Sequence, residues 1–150
     1  MNLQEELKAL KERIAELEEL AKEEQKFPQD GDEYWFIDDR GFVGGSLYTN
    51  HYIDSGRQTV GNFFSSLEQA EFAVEKLKVE AELQKFGRPF ILGEENWYLN
   101  MVRSRDITIA YDHYIIHQGT FYFKSKGKAQ QAFEAVGEER IKRYIFGVEG

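Results

Sequence analysis

The chain has 150 residues, 19 of them Lys or Arg and 27 Asp or Glu, for a formal charge of −8; aromatic side chains make up 15% and cysteine is absent. The missing cysteines exclude a disulfide framework and a thiolate zinc site. The hydrophobic and aromatic content excludes a chain disordered throughout, and the net acidity excludes a general nucleic-acid binder, whose phosphate contacts need a positive surface. The expectation is a soluble, cytoplasmic globular protein without membrane association. No stretch approaches the ~18 apolar residues of a membrane span, and the charged opening lacks the apolar run of a secretory signal.

The first segment, residues 1–27, predicts a coiled-coil oligomerisation helix. Leu3, Leu7, Leu10, Ile14, Leu17 and Ala21 alternate at spacings of four and three. Leu7, Ile14 and Ala21 fall at heptad a, and Leu3, Leu10 and Leu17 at d. In a parallel pair Glu6 would meet Lys11, and Arg13 would meet Glu18, both complementary. A parallel homo-oligomer, dimer or trimer, is therefore expected. The same stripe would also serve a helix docked on its own domain. The helix should end near Phe27-Pro28, because a residue preceding proline disfavours helical backbone.

Residues 28–150 form one α+β domain in which two repeats, about 31–87 and 93–146, share an order of features. Gly31-Asp32-Glu33-Tyr34-Trp35-Phe36-Ile37 parallels Gly93-Glu94-Glu95-Asn96-Trp97-Tyr98-Leu99. Phe63-Phe64-Ser65-Ser66 parallels Tyr122-Phe123-Lys124-Ser125, and Ala70 and Ala73 parallel Ala129 and Ala132.

In the first repeat, strands are predicted at 34–38, 42–48 and 59–64, with a polar loop over 49–56. Ser65 and Glu68 form a capping box for a helix ending at Gly87, with Ala70, Ala73, Val74, Leu77 and Ala81 facing the core. Phe72, Val79, Leu83 and Phe86 make a second stripe.

In the second repeat, strands fall at 97–102, 106–111 and 119–123. Ser125 caps a helix carrying Ala129, Ala132, Phe133 and Val136, Gly137 interrupts it, and residues 138–146 close the chain with Ile141, Tyr144 and Ile145 inward. A duplicated β-β-β-α unit results, its strands pooled in one antiparallel sheet with both helices on one face. Two separate half-sheets are the alternative.

Several segments resemble a family of small proteins encoded by phages and prophages of Gram-positive bacteria. They are GDEYWFID (31–38), GRQTVGNFF (56–64), SSLEQAEFAVEKLKVEAELQKF (65–86) and FYFKSKGKAQQAFEAVGEERIKRYIFGVE (121–149). The resemblance covers nearly the whole chain after residue 27. It implies a phage accessory product acting in the infected bacterial cell, of a kind that often counters host defence. Such a protein would bind a host immune protein, as anti-CRISPR inhibitors do, or sequester a nucleotide signal. The family supplies no active residues to transfer.

The residues themselves show no phosphate loop, dinucleotide fingerprint, zincin motif or nucleophile elbow. An enzyme is not expected, nor a cofactor. His113 and His117, with Asp112 and His51 as further candidates, have the spacing of a helical metal pair. Their surroundings are β-like, which would hold them ~13 Å apart, so no metal is expected. Asp38-Asp39 and Glu94-Glu95 read as strand-end turns. The candidate binding set is aromatic, cationic and amide: Arg57, Asn62, Arg103, Arg105, Trp35, Tyr48 and Tyr111, with Tyr34, Tyr52, Tyr98 and Tyr114 nearby. Such a set would anchor a protein partner, or stack a base and pair its phosphate.

Overall fold

The computed structural model describes residues 2–24 and 27–149. The chain forms two compact units, Met1–Ala70 and Glu71–Gly150. It is an α+β protein with antiparallel sheets, and no described helix is long and apolar enough to cross a membrane.

Helix α1 spans Leu3–Glu24. Asn2 starts it: its side chain accepts from Glu5 N at 2.8 Å, and the Glu5 carboxylate accepts from Asn2 N at 3.3 Å. Glu5 and Glu6 in the first turn and Lys22 in the last complement the helix dipole. Every residue from Asn2 to Lys22 is exposed, and the stripe Leu3, Leu7, Leu10, Ile14 and Leu17 retains 48–83% of its accessible surface. The described part of the helix therefore does not dock on its own chain. Its expected end adjoins residues 25–26, which lie outside the described residues.

The first unit continues with β1 (Glu33–Ile37) and β2 (Val43–Leu47), a two-stranded hairpin in which Trp35 faces Gly45 and Phe36 faces Gly44. The Asp38 carboxylate closes its turn, accepting from Arg40 N at 2.9 Å and Phe42 N at 3.0 Å.

Two expectations fail next. The polar loop over 49–56 is mostly helix: α2 spans Tyr52–Thr59. His51 caps it and Asp54 reaches back, so a capping box starts a helix that has no apolar stripe to announce it. The third strand over 59–64 shrinks to one bridge, Trp35 to Phe64. Thr59 belongs to α2, Gly61 has φ +78, and the Asn62 side chain pairs with Ile37 where a strand backbone would.

Helix α3 spans Leu67–Gln84, and the boundary between the units falls within it. Its cap is Ser66, whose Oγ accepts from Gln69 N at 3.2 Å, one residue later than expected. Ser65 instead donates to the Gln69 side chain. Ala70 and Val74 are buried as expected, but Leu77 is 55% exposed and Ala81 is exposed. The helix buries Val79 and Leu83 from the second stripe instead, so the buried face shifts along its length.

The second unit holds a four-stranded sheet in the order β3-β6-β4-β5. The strands are β3 (Gly87–Arg88), β4 (Asn96–Met101), β5 (Ile107–Asp112) and β6 (Tyr122–Phe123). The strands thus form two sheets and are not pooled in one. β3 was not foreseen, and β6 keeps only the last two residues of the strand expected over 119–123.

Helix α4 (Lys126–Val136) is capped by Ser125, which accepts from Lys128 N at 3.1 Å; Gly137, with φ +97, separates it from α5 (Glu138–Tyr144). The core contains Val79, Leu83, Phe123, Ala129, Ala132, Val136 and Ile141, all buried. Arg140 of α5 grips Glu82 of α3 through two nitrogens, at 2.9 and 3.0 Å. That paired hydrogen bond holds the Glu82 carboxyl below its ordinary pKa.

Candidate functional site

The candidate set is divided between the two units. Arg57, Asn62, Trp35 and Tyr48 lie in the first; Arg103, Arg105 and Tyr111 lie in the second.

In the first unit the local chemistry is set by Tyr34, which β1 buries completely. Its hydroxyl donates to Asp54 Oδ1, a short contact to a carboxylate that α2 also buries. The other oxygen, Oδ2, accepts from Thr49 N at 3.0 Å and His51 N at 3.2 Å. The Tyr34 hydrogen bond, followed by that from Thr49 N, keeps the Asp54 carboxyl below its ordinary pKa despite burial.

Arg57, one turn further along α2, donates from Nη1 to the Tyr34 hydroxyl oxygen at 2.8 Å. Its guanidinium carbon lies 3.5 Å from the Phe36 ring centroid, a cation–π contact. A Cβ on Gly44 would come within 3.0 Å of the Phe36 ring tip, so glycine leaves room for that ring. Arg57 is thus built into the fold. Its Nε and Nη2 have no hydrogen-bond partner among the described residues.

Asn62 is spent structurally, its amide accepting from Ile37 N and donating to Ile37 O, both at 2.7 Å. Tyr48 donates to Asn50 and meets Phe63 edge-on. Trp35 occupies the opposite face of β1 from Tyr34 and Phe36, since successive strand residues alternate.

In the second unit Arg103 and Arg105 are exposed at the tip of the β4–β5 hairpin. Arg105 has φ +67 and donates its N–H to Val102 O at 2.8 Å. Tyr111 sits at the other end of the hairpin, opposite Trp97, with ring centroids 4.7 Å apart. About 13 Å of strand, from Ile107 to Tyr111, lies between Tyr111 and the hairpin tip that carries both arginines.

A tighter polar cluster lies nearby. His117 Nε2 and Asp112 Oδ2 are 2.5 Å apart, and the Tyr98 ring packs 4.7 Å from the imidazole. Burial, then the neighbouring Asp112 carboxylate, raises the Tyr98 pKa, and the His117 hydrogen bond lowers that of Asp112. Tyr122 completes the set, its hydroxyl accepting from His117 N at 2.6 Å and donating to His117 O at 3.2 Å.

The sequence singled out Asp112 and His117 only as metal candidates. Among the described residues no three His, Cys, Asp or Glu side chains gather to hold an ion. Neither carboxylate pair forms a dyad: Asp38 holds its own turn, and Glu94 lies 3.7 Å from Arg88. Beyond the cluster the segment Tyr114-Ile115-Ile116 is 74, 61 and 67% exposed, and Leu92 is exposed too. The sequence reading passed over Ile115 and Ile116.

A scan against protein-family models, a search of curated proteins and a search of solved structures each find no match.

Proposed function

We propose that this protein is a non-catalytic phage accessory protein that self-associates through α1 and inhibits a host defence protein by binding it, in the cytoplasm of the infected cell. The observation that carries self-association is the heptad stripe of α1, exposed to solvent along its length. A stripe of leucine and isoleucine at a and d is stabilised when a second copy covers it. Glu6 with Lys11 and Arg13 with Glu18 favour a parallel partner.

The phage setting and the defence target rest on the resemblance stated above. The exposed Tyr114-Ile115-Ile116 segment supports a protein partner, since contiguous exposed apolar residues mark interaction surfaces. Sequestration of a nucleotide signal is the less favoured reading: Arg57 spends its flat face on Phe36 and one nitrogen on Tyr34.

A duplicated origin belongs to the same proposal. Trp35 bridges Phe64 and Trp97 pairs with Phe123, at equal places before α3 and α4. Tyr34 and Asn96, also at equal places, are both fully buried and both hydrogen-bonded. Among the described residues, helix α2 has no counterpart in the second unit.

Partner binding is tested by capture from host lysate with wild-type protein and with Ile115→Asp/Ile116→Asp. The expected outcome is one host protein retained by the wild type and lost by the variant. Retention of that protein by the folded variant would count against this segment as the contact.

A further inference from the structure

The four-stranded sheet of the second unit has two edges, and they differ. β3 is two residues long and is followed by Pro89, which has no N–H to offer. Short strands and proline are the usual protection of a sheet edge. β5, at the other edge, is six residues long and contains no proline, glycine or lysine.

The register shows which groups of β5 face outward. Beside the hairpin turn Val102 N donates to Asp106 O at 3.0 Å, so this pair is hydrogen-bonded. Antiparallel pairs alternate between bonded and non-bonded along a ladder. Thr108 and Ala110 therefore bond their β4 partners Asn100 and Tyr98, while Ile107, Ile109 and Tyr111 turn their N–H and C=O groups to the free edge. β4 obeys the same alternation: Trp97, opposite Tyr111, turns away from β5 and pairs with Phe123 of β6. The outward groups of Ile107, Ile109 and Tyr111 have no backbone partner among the described residues.

The occupant that such a row fits is another extended chain, whose own N–H and C=O groups repeat at the same spacing. A second copy fits poorly. Antiparallel self-pairing about Ile109 would join Ile107 to Tyr111 of the copy but set Asp106 opposite Asp112, and like charges directly opposite are destabilising. The hairpin tip beside Ile107 carries Arg103 and Arg105 against one carboxylate, Asp106, and neither arginine has an ion-pair partner among the described residues. A strand with acidic residues at the end beside that tip is complementary to it. At the other end the chain runs on from Asp112 to the exposed Tyr114–Ile116 segment.

We infer that β5 is a docking edge for an extended segment of the partner protein, which adds to the sheet as an antiparallel strand with acidic residues at its C-terminal end, beside Arg103 and Arg105. The inference rests on the partner-binding reading above and names the form of the partner's contact.

The test uses full-length, isotope-labelled protein and a synthetic peptide of alternating valine and threonine that ends in two glutamates. Amide exchange is followed by NMR. Saturating peptide should slow exchange at Ile107, Ile109 and Tyr111 about tenfold or more and leave Thr108 and Ala110, already bonded to β4, unchanged. Tyr111→Pro removes one outward N–H where an edge strand tolerates proline, and should weaken peptide binding about tenfold. Tyr111→Ala keeps that N–H and should bind nearly as the wild type does. The alternating protection needs no variant, so it decides the matter if Tyr111→Pro does not fold. Absence of that pattern overturns the edge, as does undiminished binding by folded Tyr111→Pro. The same pattern appearing with protein concentration alone would assign the edge to a second copy and overturn the foreign strand. A host protein captured from lysate that leaves the three amides unprotected overturns the edge while the partner-binding reading stands. Alternating protection by the peptide with no host protein captured upholds the edge and counts against that reading alone.

Discussion

Tyr34 in the first unit and Phe123 in the second are both fully buried aromatic residues, yet their neighbours differ in kind. Phe123 lies in an apolar core with Leu83, Ala129, Ala132 and Ile141. Tyr34 stacks on Phe63 with centroids 4.2 Å apart, but its hydroxyl ends in a carboxylate and a guanidinium. The four-stranded unit has two further helices after α3 to cover its sheet; the first has a two-stranded hairpin and the short α2. A small sheet buries little apolar surface, so hydrogen bonds to buried groups carry more of its specificity. The two units should therefore respond differently to truncation and to acid.

The largest expected effect is in the apolar unit. Phe123→Ala removes a fully buried ring and should cost about 3–5 kcal/mol. Each unit has its own tryptophan, so Trp35→Phe and Trp97→Phe backgrounds report the units separately. The unfolding midpoint read by Trp97 should fall further than that read by Trp35; equal falls would erase the distinction. Next comes Tyr34→Phe, which keeps the ring but removes the hydroxyl bridging Asp54 and Arg57. It should lower the Trp35-reported melting temperature by about 5 °C while leaving the Trp97 signal nearly fixed. No change would mean that the polar network is incidental.

The smallest effect separates the units by pH. Asp54 has a lowered carboxyl pKa in the folded state, so it binds protons less readily there than when unfolded. Its contribution is present above the ordinary carboxylate value near 4 and is lost as pH falls through the folded value. Asp112 has the same sign through His117 but is a quarter exposed, and screening by water weakens it. Asp54→Asn should flatten the acid limb of the Trp35 melting curve between roughly pH 5 and pH 2. Asp112→Asn should alter the Trp97 curve less. A larger change from Asp112→Asn would reverse the comparison.

The sequence was legible where apolar periodicity and turn chemistry agree. Trp97–Leu99, Ile107–Ile109, the Ser125 cap, Ala129/Ala132/Val136 and the Gly137 break all fall in or beside the expected elements. Helix α2 was illegible because its signal is two polar caps, His51 and Asp54, on a polar run. The start of α3 was read one residue early, at Ser65, where the Ser66 side chain makes the cap. The Tyr98–Asp112–His117–Tyr122 cluster depends on strand register and a loop, neither of which spacing reveals. The Arg–aromatic set read from the strand scheme was divided between the two units, and within the second Tyr111 and Arg103 occupy opposite ends of one hairpin.

The exposed stripe of α1 gives the most direct test of the proposed assembly. Light scattering on wild-type protein and on Leu10→Glu/Ile14→Glu measures mass without altering either unit's core. Wild-type protein should have the mass of a dimer or trimer, and the variant that of one 17.6 kDa chain with an unchanged melting temperature. A wild-type protein that is monomeric at high concentration, or a variant that keeps the wild-type mass, would contradict the account.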